Sequence, residues 1–417
     1  MIRKTPKNIT QNKDYDKGVL WYNSSYMSKM SRRDFLETAT LVAGGLLAGC
    51  AGQRVAARRC TGFYRAALQH LGSNMWGDWT PDAENWATSP EEAKVRPNPP
   101  APNGKPSRYC NYRYGLDELW TKSIDHMAEK GYNLVIIDVG EGIAYPSHPE
   151  LEVPGTWSVE KARRELNRIR SLGMTPVPKL NFSTCHDGWL KEYGRMVSTK
   201  RYYEVVADVI RDMCEVFDGP ELFHIGYDEE IPIAGEGDFL CVLRQGDLWW
   251  HDLFYTVGEV ERNGARALMW SDKICTGREE FLRRMTKNVL LSPWYYRNDF
   301  SEKMLTWDAS YESKAGSWDV QRNLGASLKV LCEAGFDILP CTSNWIFDDA
   351  SEAMVAYCKN HLDPQRVKGL CTAPWERNVP GYRGLRAGVE NRLRGFPQNI
   401  AGLDLFAAAM DRHYPRG

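Results

Sequence analysis

Eight apolar runs of strand length alternate with helical patterns between residues 65 and 394, and acids and tryptophans gather where those runs end. The chain also has room for the about 250 residues of a closed barrel plus insertions. These observations predict an α/β chain closed into a (β/α)8, or TIM, barrel with a long insertion between the first strand and the first helix. The rival is an open doubly wound sheet, which offers no reason to stop at eight strands.

The N-terminus reads as an address. Ser31-Arg-Arg-Asp-Phe-Leu36 has the form of a twin-arginine export signal, and an apolar run follows at residues 41–48. Leu47-Ala-Gly-Cys50 then matches a lipobox, with Cys50 as the residue to be lipidated. The run is shorter than the about 20 residues a spanning helix needs. Residues 1–30 are polar, and Met27 or Met30 would make a better start. The expectation is that residues 1–49 are removed. Residues 50–417 would remain as one barrel domain, exported to the bacterial cell envelope and touching the membrane only through the lipid on Cys50.

Each element has a local reason. Residues 65–71 give the first strand. Residues 72–115 are rich in Trp, Pro and Asn, and Pro97, Pro99, Pro100, Pro102 and Pro106 argue against regular structure, so the stretch is expected to be a loop packed over a site. A helix over 116–130 stops at Gly131, and the apolar run 133–139 is the second strand. Ser158 caps a helix to 172, stopped by Gly173. The third strand, 174–181, contains Pro176 and Pro178, which suit a strand start more than a strand centre. A helix over 199–217 leads to the fourth strand, beginning at Leu222. Helices over 247–263, 277–286, 317–334 and 349–361 alternate with strands at 265–272, 288–294, 337–345 and 367–376. Residues 382–394 are expected to close the ring as a last helix.

The composition excludes some functions. Lys and Arg number 53 against 54 Asp and Glu, so there is no electrostatic footprint for nucleic acid. We find no phosphate-cradling glycine loop and no zinc-type Cys/His spacing, so neither cofactor nor metal is expected. Eleven cysteines are scattered without a Cys-x-x-Cys pair and define no disulfide framework. Fifteen tryptophans stand out, because an indole presents a flat apolar face with a polar edge. Such a face fills cores, but it also stacks on sugar rings.

Chemistry in such barrels sits at the C-terminal strand ends. Here the first three ends carry Trp76, Asp138, Glu141, Lys179, Asn181 and His186. The fourth, Leu222-Phe-His-Ile-Gly-Tyr-Asp-Glu-Glu230, runs into three acids. The later ends carry Trp270 with Asp272, Trp294 with Tyr295, Asn344 with Trp345, and Trp375 with Glu376. Three adjacent carboxylates form either a solvated turn or a general acid/base pair. Tryptophans at four successive strand ends favour the second, since an aromatic cup around two carboxylates suits a pyranose ring.

His224-Ile-Gly-Tyr-Asp-Glu229 resembles the strand-four signature of family 20 glycoside hydrolases, the β-N-acetylhexosaminidases. Met269-Trp-Ser-Asp272 and Trp375-Glu376 are similar to that family's strand-five and strand-eight ends. The resemblance implies hydrolysis assisted by the substrate's acetamido group. Glu229 would be the acid/base and Asp228 would orient the acetamide. Trp345 and Trp375 would wall its pocket, and Glu376 would accept sugar hydroxyls. Trp76, Asn181, His186, Trp270, Asp272, Trp294 and Asn344 are expected to contact substrate as well. Gln69-His-Leu-Gly-Ser-Asn-Met-Trp76 stands where the family places an arginine.

Other readings remain open on the residues alone. In one, Glu376 is a carboxylate nucleophile. In another, His186, His224, Asp228 and Glu230 converge on a divalent ion in a metal-dependent hydrolase. In a third, the chain is a non-catalytic lipoprotein that binds glycan with the same tryptophans.

Overall fold

The computed structural model describes residues 62–416 apart from 101–103, 105–106, 236–237, 315 and 387–388. The twin-arginine stretch, the apolar run and Cys50 lie outside the described residues. These described residues belong to one compact unit, Val55–Gly417. No described helix is long and apolar enough to cross a membrane.

Eight parallel strands form the barrel wall: β1 (Tyr64–His70), β2 (Leu134–Asp138), β3 (Thr175–Lys179), β4 (Leu222–His224), β5 (Arg266–Trp270), β6 (Leu290–Ser292), β7 (Cys341–Thr342) and β8 (Gly369–Thr372). They are joined in the order β6-β5-β4-β3-β2-β1-β8-β7. Parallel bridges Leu291↔Ile338 and Trp294↔Cys341 close the remaining seam. There Leu339 N–H donates to Leu291 O at 2.8 Å, and Cys341 N–H to Pro293 O at 2.8 Å. The longer helices between strands are α1 (Asp117–Glu129), α2 (Val159–Ser171), α3 (Lys200–Val216), α4 (Gly246–Arg262), α5 (Arg278–Arg284), α6 (Leu324–Glu333) and α7 (Ala350–His361), with α8 (Phe396–His413) after β8. Caps account for two of the starts: Ser158 accepts from Lys161 N–H and Thr199 from Tyr202 N–H.

The structure corrects four elements. Residues 382–394 are not a helix but an antiparallel hairpin, β9 (Tyr382–Arg386) and β10 (Val389–Arg394), and the ring-closing helix is α8. The helix expected over 317–334 splits into a 3-10 turn, Trp318–Asn323, and α6. The insertion 72–115 holds a short helix, Pro90–Val95, and its own small core of Ala83, Trp86 and Tyr109. Pro176 and Pro178 lie inside β3, paired with β2. The N–H groups of Thr175 and Leu180 face β2 and β4 respectively. By alternation the proline nitrogens face β4, where ladder pairing begins only at Lys179↔His224. The missing donors therefore fall where no acceptor needs them.

Candidate active site

The site is built around the exit from β4. Ile225 N–H still bonds Leu268 O at 2.8 Å, and then the chain passes through left-handed backbone at Gly226 (φ 74°), Tyr227 (φ 69°) and Glu229 (φ 57°). Gly226 is obligatory, because a Cβ there would meet Asn181 Oδ1 at 1.9 Å and Asn181 Cα at 2.8 Å. Tyr227 and Glu229 hold a conformation that costs of order 1–3 kcal/mol each in a non-glycine residue. Neighbours impose it. Tyr227 N–H donates to Asn181 Oδ1 at 3.3 Å, and its hydroxyl meets Thr256 Oγ1 at 3.0 Å. Glu229 N–H donates to Asp272 Oδ2 at 2.9 Å.

This contorted turn sends three adjacent acids to different places. Asp228 and Glu229 turn to the barrel mouth, where both face His186 Nε2, at 3.6 and 3.3 Å. Asn181 Nδ2 donates to Asp228 at 2.8 Å, and Gln321 Nε2 to Glu229 at 3.0 Å. Glu230 goes the other way. It accepts from Thr184 N–H at 3.1 Å and forms a buried ion pair with Arg244, which also reaches Asp252 and the Phe182 carbonyl. Of the three, Glu229 is the one open to solvent, its side chain 24% exposed.

The electrostatics follow from that crowding. His186 Nδ1 lies 3.1 Å from the Met75 carbonyl, which can only accept, so Nδ1 carries a proton. Burial alone would lower this imidazole, but Asp228 and then Glu229 outweigh it and hold it at about 9, so Nε2 is protonated as well. Burial, and next the Asp228 carboxylate, push Asp272 up to about 7. Asp272 also accepts from Trp294 Nε1 at 3.3 Å.

A second cluster lies beside the first. Lys179 Nζ is 2.6 Å from Asp138 Oδ2, and His70 Nδ1 is 3.4 Å from the same oxygen. Burial would raise Asp138, yet Lys179 and His70 together bring it down to about 2, while burial keeps His70 below its usual value. His70 packs on Trp76 (4.5 Å between ring centroids) and on Trp375 (5.6 Å). Trp375, with φ 55°, also neighbours Trp270 at 6.0 Å and Tyr296 at 6.3 Å, and Tyr296 stacks on Trp294 at 5.1 Å. The aromatic wall is therefore Trp76, Trp375, Trp294 and Tyr296, with Trp270, 1% exposed, as its floor.

Several expected site residues do other work. Asn344 is fully buried, donates to Gln398 O at 3.2 Å and packs against Gly402 of α8, outside the barrel wall. Glu376 has both oxygens engaged, by Arg394 Nε at 2.9 Å and Gly395 N–H at 2.8 Å, so it anchors the hairpin. Trp345 has its face covered by the Arg394 guanidinium at 4.6 Å and belongs with the same hairpin. Tyr295 turns away, its hydroxyl donating to Asp299 O at 2.8 Å. The ion-binding quartet also fails to assemble. Glu230 is held by Arg244, and His224 is sealed in the barrel, its Nδ1 accepting from Gly226 N–H at 3.0 Å and its basicity lowered by burial. A different trio, His186, Asp228 and Glu229, offers atoms within 4.8 Å of one another. Tyr296, Gln321 and His70 are not among the residues the sequence singles out. Tyr296 is one residue beyond a strand end already marked by Trp294 and Tyr295, whereas nothing in the sequence marks Gln321.

No family model and no curated protein matches the chain. Among solved structures, similarity extends to a β-N-acetylhexosaminidase from Bacteroides fragilis, at 12% identity and TM-score 0.47, over 75% of this chain and 60% of that one. It extends to Dispersin B, at 13% and 0.48, over 72% and 95%. It also reaches the family 20 β-N-acetylhexosaminidase of Streptomyces coelicolor, at 11% and 0.47, over 84% and 68%. Likeness of this size transfers no residue roles, and each role must rest on the chain's own geometry.

Proposed function

We propose that this chain is a glycoside hydrolase acting on a glycan that contains N-acetylhexosamine, with Glu229 as acid/base and Asp228 as the orienting carboxylate. One observation carries the reading. Asp228 and Glu229 share His186 at the strand-four end of an aromatic-walled mouth, and no unengaged carboxylate from β7 or β8 faces them among the described residues. A retaining enzyme with its own nucleophile needs a second carboxylate about 5–5.5 Å away across the sugar. Here β7 ends Cys341-Thr-Ser-Asn-Trp345, and Glu376 is tied to Arg394. With neither of these free to act, we take the substrate's acetamide as the nucleophile.

The steps follow. The acetamido oxygen attacks the anomeric carbon, and the glycosidic bond breaks with its electron pair on the leaving oxygen. Glu229, held by Gln321 and His186, protonates that oxygen. Asp228, fixed by Asn181, accepts the amide N–H as charge develops on the ring formed by the acetamide. Water then opens that ring, giving its proton to Glu229. Trp76, Trp375 and Tyr296 supply flat faces for the sugar. We further propose export by the twin-arginine route and anchoring through a lipid on Cys50, which fatty-acid labelling of wild type against Cys50→Ser would check.

Chromogenic β-glycosides with and without a 2-acetamido group test the reaction. Turnover of the acetamido series alone is expected, and equal rates on both would sink acetamide participation. The His186, Asp228 and Glu229 trio also favours a second reading, a metal-dependent hydrolase. A stoichiometric divalent ion in the purified protein, with activity lost to a chelator, would replace the first reading by the second.

A further inference from the structure

We propose that Cys185 and Cys241 form a disulfide that staples the loop after β4 onto the loop after β3. Their sulfurs are 3.5 Å apart, 56 positions apart in the chain. Cys241 Sγ lies 3.5 Å from the Thr184 carbonyl, and Cys185 Sγ lies 4.0 Å from that of Ile231, so each thiol sits on the other's loop. Gly235 leaves the room they need, because any Cβ there would stand 2.7 Å from the Cys241 sulfur. Closing to a bond requires a movement of about 1.5 Å to reach the about 2.05 Å of a disulfide. Cys241 lies in a segment without helix or strand, which accommodates that shift.

Among the described residues the other thiols offer no comparable pair. Cys341 and Cys371 face each other across β7 and β8, but both are sealed in the barrel wall, with their S–H groups turned to the carbonyls of Thr342 and Thr372. Cys241 is partly exposed while Cys185 is buried, so an outside oxidant has one point of entry. The chemistry is thiol–disulfide exchange with a small or protein-borne disulfide. The Cys241 thiolate attacks one sulfur of the oxidant, giving a mixed disulfide and releasing one thiol. Cys185 then loses its proton and attacks the Cys241 sulfur, and the second oxidant sulfur leaves as a thiol. Two electrons and two protons pass from the pair to the oxidant.

The staple sits beside the reacting groups without touching them. Cys185 precedes His186, and its N–H donates to Ser183 Oγ at 3.3 Å. That hydroxyl donates in turn to the Asp228 carbonyl, and Thr184 N–H holds Glu230. On the other side, the loop carrying Cys241 is pinned by Asp78, which accepts from Phe239 N–H and Leu240 N–H. The bond would make the positions of His186 and of the acid-bearing turn a single rigid unit.

The test is independent of any substrate, so it fails or succeeds apart from the glycosidase reading. The full-length protein is equilibrated with oxidised glutathione or with dithiothreitol, unfolded, alkylated and digested. The oxidised sample is expected to yield the Cys185 and Cys241 peptides joined, with two fewer alkylatable thiols than the reduced one. Reduction should lower the melting midpoint by about 5 °C, and Cys241→Ser should show that lower midpoint under both conditions. Alkylation of both cysteines after oxidation, or Cys241 joined to a partner other than Cys185, would overturn the proposal, and neither readout depends on a variant folding.

Discussion

His70 and His186 both face buried carboxylates at the barrel mouth, and their surroundings set them to opposite charge states. His70 meets one acid, Asp138, whose charge Lys179 already balances at 2.6 Å. A second positive charge would be surplus, and burial keeps the ring neutral. His186 meets Asp228 and Glu229 with Asp272 close behind, and no lysine or arginine forms an ion pair with any of the three among the described residues. There the ring keeps its second proton to about pH 9, and Asp272 keeps its own to about 7. A closed, charge-balanced cluster can hold strands together but has no proton to move. An open cluster with more acids than cations has a proton shared among groups of differing affinity, which is what acid/base chemistry uses.

The sharpest way to break that contrast is to remove the exposed acid of the open cluster. Glu229→Gln keeps the shape and the Gln321 contact but cannot donate a proton. Turnover of an activated acetamido glycoside is expected to fall about 10²–10⁴-fold with the melting midpoint nearly unchanged. A rate within a few-fold of wild type would move the acid elsewhere.

The closed cluster should respond in stability instead. Lys179→Met leaves Asp138 buried without its ion-pair partner, which costs about 3–5 kcal/mol of stability. Urea unfolding would report the loss, and the rate per folded molecule should remain close to wild type. Should Lys179→Met cut the rate and spare stability, the two clusters would have to exchange roles.

The sequence carries one of these clusters better than the other. The β4 exit is legible because Gly226 and the acids after it are adjacent in the chain, although the contacts that hold their backbone, to Asn181, Thr256 and Asp272, come from elsewhere. The His70, Asp138 and Lys179 cluster draws one residue from each of three strands, and only the barrel register brings them together. The hairpin reads as a helix for a related reason. Leu385, Val389 and Leu393 recur every four residues, which is helical spacing, but a register shift between Val389 and Arg392 separates the strands from regular alternation. α8 is hidden because Gly395 and Pro397 look like breakers, whereas a proline in the first turn is where a helix tolerates it. Strand-end position alone puts Asn344 and Glu376 in the mouth. The partners that draw them away, α8 and Arg394, come from the same C-terminal segment whose elements the sequence disguises.

A pH titration sharpens the contrast further. Asp272 and His186 both bind their protons more tightly folded than unfolded. Asp272's contribution to stability is therefore complete below about 4 and lost as pH rises through about 7. His186's is complete below about 6.5 and lost as pH rises through about 9. Asp138 is the reverse case, its contribution present above about 4 and lost only as pH falls through about 2. Between pH 5 and 10 the stability curve should thus decline in two steps, the lower one absent in Asp272→Asn and the upper one absent in His186→Gln. A single step that survives both substitutions would place the excess charge outside this cluster.

The smallest expected effect separates the aromatic wall into the part that serves the open cluster and the part that does not. Trp76 is half-buried, leans on His70 and lies beside Trp375, and the guanidinium over its ring, Arg377 at 5.3 Å, has no ion-pair partner among the described residues, so a sugar can displace it. Trp345 has comparable exposure, but Arg394 covers it and Glu376 holds that arginine in place. A stacked ring contributes about 0.5–1.5 kcal/mol beyond its buried area, so Trp76→Ala should raise KM about 2–10-fold and leave kcat alone, because the face binds ground state and transition state alike. Trp345→Ala should leave KM unchanged and act through the hairpin, as a modest loss of stability. If the two variants exchange these outcomes, the sugar lies on the hairpin side of the mouth. The aromatic contacts that run from His70 to Trp294 would then be packing rather than a binding wall.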